Sequence, residues 1–272
     1  MPGDTWARNT RCTTVPAMLS SVLDALAFSS LLVSSSAAAL VAAASVAMGV
    51  PSSRTVIGLV FGGTVAVYNV DRLRDLERDR ATAPVRTRFI AAHWTVIVVV
   101  TAGAMLLAVS LAFADGRRAV LLAGVVLALG LAHRRLKGIT FAKPLYVTAA
   151  WLAIVVGMPL VVEPASRHGG WVAVILGASL LANAIASDVR DGEAGALRLG
   201  TRRALRLAAA IASVGLLAAA LAPTPARPLG AVAAATLLAL LGFRRSERYG
   251  LIVVDGALLA GAATSLLVSA LP

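Results

Sequence analysis

Charge is scarce in this chain. Only 14% of its 272 residues are charged, against about 25% in an ordinary soluble domain. Hydrophobic residues make up 59%, and the mean hydropathy is +0.86. A single cysteine, Cys12, excludes an intramolecular disulfide and any cysteine-based metal cluster. The three histidines, His93, His133 and His168, are scattered, two toward one face and one toward the other, so no histidine metal site is expected. Lysine is nearly missing: Lys137 and Lys143 are the only two among 25 basic residues. No nucleophile elbow, P-loop, dinucleotide fingerprint, heptad array or low-complexity linker occurs. The net charge of +12 does not point to nucleic acid, because no contiguous basic soluble domain carries it.

What the chain does have is long apolar runs. A hydrocarbon core about 30 Å thick needs roughly 20 apolar residues per helical span. Apolar segments fall near 20–49, 55–70, 90–113, 119–133, 145–162, 171–187, 204–222, 229–243 and 250–270, so nine transmembrane helices are expected. Met1–Pro16 is polar, with Arg8 and Arg11, and the run from about Met18 to Val50 is too long for a signal-peptide core. Residues 1–17 are therefore expected as an N-terminal segment and 18–272 as a single helical membrane domain. Pro51, Pro144, Pro223 and Pro228 mark segment edges, and Pro159 inside the fifth segment predicts a kink. Gly58 and Gly62 in the second segment predict close helix packing.

Alternating the loops between two sides puts 20 of the 25 basic residues with the N-terminus and the loops near 71–89, 134–144, 188–203 and 244–249. By the positive-inside rule this face is expected to be cytoplasmic in a multi-pass protein of the cell membrane.

Seven of the 13 acidic residues lie in two stretches on that face. The first, following the second segment, is Tyr68-Asn69-Val70-Asp71-Arg72-Leu73-Arg74-Asp75-Leu76-Glu77-Arg78-Asp79. Asp71, Asp75 and Asp79, spaced by four, share one face if the helix continues. The second, following the sixth segment, is Asp188-Val189-Arg190-Asp191-Gly192-Glu193. Carboxylates so spaced suit a hard divalent cation such as Mg²⁺, with waters and substrate phosphate completing the octahedron. Neighbouring Arg and Lys would neutralise the remaining negative charge. The competing reading is a solvated juxtamembrane face of alternating acid–base pairs, each worth about tenths of a kcal/mol.

In these stretches the chain resembles the UbiA-type intramembrane prenyltransferase superfamily, which has nine helices and an aspartate-rich motif after helices 2 and 6. The family's first motif is Asn-Asp-x-x-Asp-x-x-x-Asp. Asp75 and Asp79 match its last two acids, while Asp71 stands at the Asn position and Arg72 at the first Asp. In the second motif Asp188, Asp191 and Glu193 match, and Gly195 replaces the final acid. The stretch His133–Lys143 is similar to the family's basic loop after helix 4. The resemblance implies an all-α, nine-helix membrane fold and transfer of an isoprenyl group from an isoprenyl diphosphate to an aromatic or other lipophilic acceptor, with Mg²⁺ assisting diphosphate departure. It assigns Asp75, Asp79, Asp188 and Asp191 as catalytic, and Asp71, Asp75, Asp79, Asp188, Asp191 and Glu193 as metal ligands. Lys137, Lys143, Arg72 and Arg134 would bind diphosphate, and Tyr68 and Asn69 would contact substrate. A transporter and a catalytically reduced scaffold are the alternatives.

Three smaller expectations complete the reading. Asp24 and Asp255, in apolar segments near the basic face, are expected to pair with arginines. Trp94, Trp151 and Trp171 sit where interfacial belt residues would. Tyr68, near a helix end, has the same interfacial role as its alternative.

Overall fold

The computed structural model describes residues 14–136, 142–164, 168–193 and 198–271. Among them there is no strand. The helices run α1 Thr14–Phe28, α2 Leu31–Met48, α3 Arg54–Arg74, α4 Leu76–Asp79, α5 Pro84–Ala92, α6 Trp94–Ala114, α7 Arg117–Leu136, α8 Ala142–Leu152, α9 Met158–Val162 and α10 Gly169–Asp191. The remainder are α11 Thr201–Leu221, α12 Gly230–Leu241 and α13 Asp255–Ser269. A π-helical turn, Ala153–Gly157, joins α8 to α9, a second, Tyr249–Val254, leads into α13, and a 3₁₀ turn, Thr224–Leu229, precedes α12.

Eight stretches among the described residues are long and apolar enough to cross a membrane. They are Leu31–Met48, Arg54–Arg74, Trp94–Ala114, Ala142–Val162, Gly169–Asp191, Thr201–Leu221, Thr224–Leu241 and Tyr249–Ser269. The protein is thus an all-helical chain of multi-pass membrane character. Neighbours in sequence are neighbours in space: α2 packs on α3, α3 on α6, α6 on α7, α7 on α8, α8 on α10, and α10 on α11. From there α11 packs on α12 and α12 on α13, and α13 closes the ring against α2.

Small residues set these close approaches. A Cβ on Gly58 would lie 2.9 Å from Leu111 Cδ1, and one on Gly62 would lie 3.0 Å from the Ala104 carbonyl oxygen. The expected tight face of the second segment is therefore its contact with α6. Buried Ala204, Ala208 and Ala212 form a similar stripe on α11, packed with Ala182 and Ala186 of α10. Without water to drive helices together, such stripes let backbones approach closely enough for dispersion to hold them. Outward, α6 presents Val96, Val99, Leu106 and Phe113, each more than half exposed, as an apolar surface suited to lipid.

Four local expectations change. The first apolar segment is two helices, not one: Ser30 takes a left-handed conformation (φ 65°) and breaks α1 from α2. The helix of the first acidic stretch ends at Asp75 (φ −100°, ψ 12°), so Asp71, Asp75 and Asp79 do not share a continuous helical face. Much of the expected loop 71–89 is helical, in the end of α3, in α4 and in the start of α5. At Pro159 the π-helical turn Ala153–Gly157 replaces a simple kink. Proline supplies no N–H to the carbonyl of Val155 four residues back, and the widened turn relieves the ring's crowding against it.

Candidate functional site

The C-terminal ends of α3 and α10, the N-terminus of α8 and the start of the Tyr249–Val254 turn meet at one end of the bundle. Both acidic stretches arrive there. Lys143, in the first turn of α8, places its Nζ 2.9 Å from Asp188 Oδ1 and 2.9 Å from Glu193 Oε1. Gly192, left-handed at φ 67°, ends α10 and turns the chain so that Glu193 comes back toward Lys143. Beside them, Arg190 grips Asp191 with two parallel bonds, Nε to Oδ1 at 2.7 Å and Nη2 to Oδ2 at 3.0 Å. A forked pair of this kind fixes both side chains in direction as well as distance.

The first stretch comes in from the other side. Asp79 Oδ2 accepts from Arg86 Nη2 at 2.6 Å, and Arg86 in turn acts electrostatically on Asp191. Glu247 accepts from the backbone N–H groups of Val85 (3.1 Å) and Arg86 (2.7 Å), the otherwise unpaired amides at the start of α5. An open cleft of about 330 Å³ lies between these parts, lined by Ala81, Thr82, Arg190, Asp191, Arg245, Ser246 and Glu247. The cleft thus takes Arg190 and Asp191 from the second stretch and Ala81 and Thr82 from just after the first, although more than a hundred residues separate them in sequence.

Not every expected residue reaches it in its expected role. Asp71 is exposed, on the side of α3 away from the buried Arg72. Arg72 bonds no acid among the described residues; its Nη1 donates to the carbonyls of Ala27 (3.1 Å) and Phe28 (2.8 Å), where α1 breaks from α2. Asn69, fully buried, accepts from Ser30 Oγ through its Oδ1 at 2.7 Å. Asp75 is buried in the bend after α3. Lys137 lies outside the described residues, as do Gly195, Cys12 and the side chain of Arg134. No three His, Cys, Asp or Glu side chains group as a metal cluster among the described residues.

Asp24 pairs with Arg248 Nη2 at 2.5 Å, as expected. Asp255 differs: it makes no ion pair among the described residues, and Asn183 Nδ2 donates to its Oδ1 at 3.5 Å. Arg72 and Arg190 act on it only at longer range. Trp151 is not a belt residue either. Its Nε1 donates to the Tyr68 hydroxyl at 3.2 Å, inside the bundle.

The residue that sequence reasoning passed over is Arg190. It stood only at a variable position of the second stretch, and its sole signal was a positive charge between two acids at the end of an apolar run. In the fold its Cδ lies where a Cβ on Gly250 would be, 2.2 Å away, so only glycine there leaves it room. Three buried N–H donors at this end have no acceptor among the described residues: Arg190 Nη1, Arg86 Nε and Asn69 Nδ2. An unsatisfied buried donor costs about 1–3 kcal/mol, more when charged. The folded chain therefore carries unsatisfied, enclosed donors near its polar end.

No family model, curated protein or solved structure matches this chain.

Proposed function

We propose that the protein is a nine-span integral membrane transferase, similar to the UbiA-type prenyltransferases, that moves an isoprenyl group from an isoprenyl diphosphate to a lipophilic acceptor. The observation that carries this reading is the approach of the two acidic stretches at one end of the bundle, where Arg86, bonded to Asp79, acts on Asp191 beside a cleft lined by Arg190, Asp191 and Arg245. The guanidiniums of Arg190 and Arg245 at the cleft suit a diphosphate, and the apolar helix faces provide a medium for its isoprenyl tail. The basic bias of this face supports a cleft on the cytoplasmic side of the cell membrane.

The residues present fit a divalent cation. Asp188 and Glu193 hold two carboxylate oxygens at 2.9 Å around one ammonium, an all-oxygen seat of the kind Mg²⁺ selects. Asp188 and Glu193 would hold the ion, which when bound would lend positive charge to the departing diphosphate. The chain's own groups do the rest. Lys143 moves from the two acids to the diphosphate oxygens as they arrive. Arg190, oriented by Asp191, and Arg245 line the cleft and bring positive charge to the diphosphate, and Arg86, oriented by Asp79, adds charge behind them. These donors are fixed before the reaction, so charge developing on the leaving group is met without reorganisation. Arg72, engaged with the Ala27 and Phe28 carbonyls, holds the α1–α2 break in place.

The test is release of inorganic diphosphate by purified protein in lipid nanodiscs, given labelled isoprenyl diphosphates of graded chain length and Mg²⁺. Asp188→Asn and Asp75→Asn should each lower the rate by about 10²–10³-fold, as removal of one transition-state stabiliser does elsewhere. Activity that persists in both variants sinks the site assignment. Absence of release by the wild type with every donor sinks the transferase reading.

A further inference from the structure

One buried acid takes no part in the site above. Asp255 lies deep in the bundle, at the junction of the Tyr249–Val254 turn with α13. An ionisable side chain inside a membrane-spanning stretch is expensive and calls for a function. The two guanidiniums near it are engaged elsewhere: Arg190 with Asp191, Arg72 with the Ala27 and Phe28 carbonyls. Asp255 Oδ1 receives only the long bond from Asn183, whose Nδ2 is held by the Val254 carbonyl at 3.0 Å. Oδ2 makes no hydrogen bond among the described residues, yet it is not among the fully enclosed atoms left unsatisfied, and the residue keeps partial exposure. A deeply placed side chain with free surface faces a recess.

Helix geometry places other polar groups at the same level. At about 1.5 Å per residue, Tyr68 lies about 9 Å below the end of α3, and Asp255 about 10 Å below Arg248. By the same measure, Asn183 lies about 12 Å below Asp191, and Trp151 about 12 Å below Lys143. Tyr68 accepts from Trp151 and interacts electrostatically with Asp255, so the four belong to one cluster one to two helical turns beneath the cleft. The hydroxyl proton of Tyr68 has no acceptor among the described residues, which leaves it able to donate.

We infer that Asp255 is a catalytic base in a polar recess inside the bundle, taking the proton of a hydroxyl-bearing lipophilic acceptor whose head lies between Tyr68 and Asn183. This rests on the transferase reading for its purpose. The acceptor O–H bond breaks and its proton goes to Asp255 Oδ2. The acceptor oxygen bonds to C1 of the isoprenyl group, and the C1–O bond to diphosphate breaks with its electron pair leaving on diphosphate. The depth of the recess suits this order, with the phosphates at the cleft and the reacting carbon beneath them.

The test needs neither donor nor turnover. Wild-type protein in nanodiscs at pH 6 is treated with dicyclohexylcarbodiimide, an apolar reagent for protonatable carboxyls in apolar surroundings, and modified peptides are mapped by mass spectrometry. Asp255 should be labelled at least fivefold faster than Asp24, which is held by Arg248. A probe phenol, 4-hexylphenol, should slow that labelling at least threefold, whereas 4-hexylanisole, of similar shape but with no proton to give, should not. An unlabelled Asp255 overturns the inference, and so does labelling that both probes or neither probe slows. None of these outcomes depends on diphosphate release, so the base can fail while the transferase reading stands, and the reverse.

Discussion

Lys143→Met removes one charge and keeps most of the side chain's volume. Asp188, whose side chain is 8% exposed, and Glu193, at 26%, then lose the ammonium 2.9 Å from each. Removing one partner of a buried pair costs about 3–5 kcal/mol, because the other charge stays behind unpaired. Glu193 retains access to water and contributes little to that figure, so the loss falls mainly on Asp188 and lies near the lower end, about 3 kcal/mol. If the two acids are a divalent-cation seat, vacating it opens it to the metal. A cation at 100 times its dissociation constant returns about 2.7 kcal/mol, which nearly cancels the defect. The assay is thermal unfolding in detergent, with and without MgCl₂, against KCl at equal ionic strength. The variant should melt below wild type, recover most of the difference in Mg²⁺ but not in KCl, and bind Mn²⁺ more tightly than wild type. Lys143→Met with Asp188→Asn should regain part of the stability without metal. A variant as stable as wild type, or one that KCl rescues equally well, refutes the reasoning.

Four further substitutions, at three positions, test the packing and the helix break by the same measurement. A Cβ on Gly261 would lie 2.5 Å from Val232 Cα and 2.9 Å from the Ala231 carbonyl oxygen; backbone cannot swing aside, so Gly261→Ala should destabilise by about 1–3 kcal/mol. At Gly63 a Cβ meets nothing within 4 Å, so Gly63→Ala should be neutral or stabilising by up to about 1 kcal/mol, and equal effects at the two positions would refute the α12–α13 contact. Ser30 is left-handed and donates to Asn69: Ser30→Ala loses the bond and keeps the strain, while Ser30→Gly relieves it, so the glycine variant should be the more stable by about 1 kcal/mol, an order whose reversal would refute the strain.

Much of the architecture could be read directly. Apolar runs of span length have few solutions besides helices, since every backbone polar group must be satisfied within its own segment. The Gly58–Gly62 spacing announced a close helix contact, because small residues four apart form a groove on one helix face, but not that α6 would fill it. The pairing of Asp24 with an arginine followed from the cost of a lone charge there. Helix interruptions were less visible. Ser30 is an ordinary residue in an apolar run, and its left-handed backbone is sustained by partners from α3: Asn69 on its hydroxyl and Arg72 on the Ala27 and Phe28 carbonyls.

By itself the sequence determined the class of molecule, the approximate positions of most of its apolar helices and the concentration of acids in two stretches rich in arginine. All of these follow from local composition and charge, which a chain carries before it folds. Only the tertiary structure decided which charges meet. Lys143 bridges Asp188 and Glu193, Arg86 joins the first stretch to the second, and Arg190 fits because Gly250 has no side chain. It also decided that Asp255 makes no ion pair with an arginine among the described residues. Partnership in a helical bundle depends on the rotation and depth of each helix, and those are set by small residues packing across the ring, far from the charges they bring together.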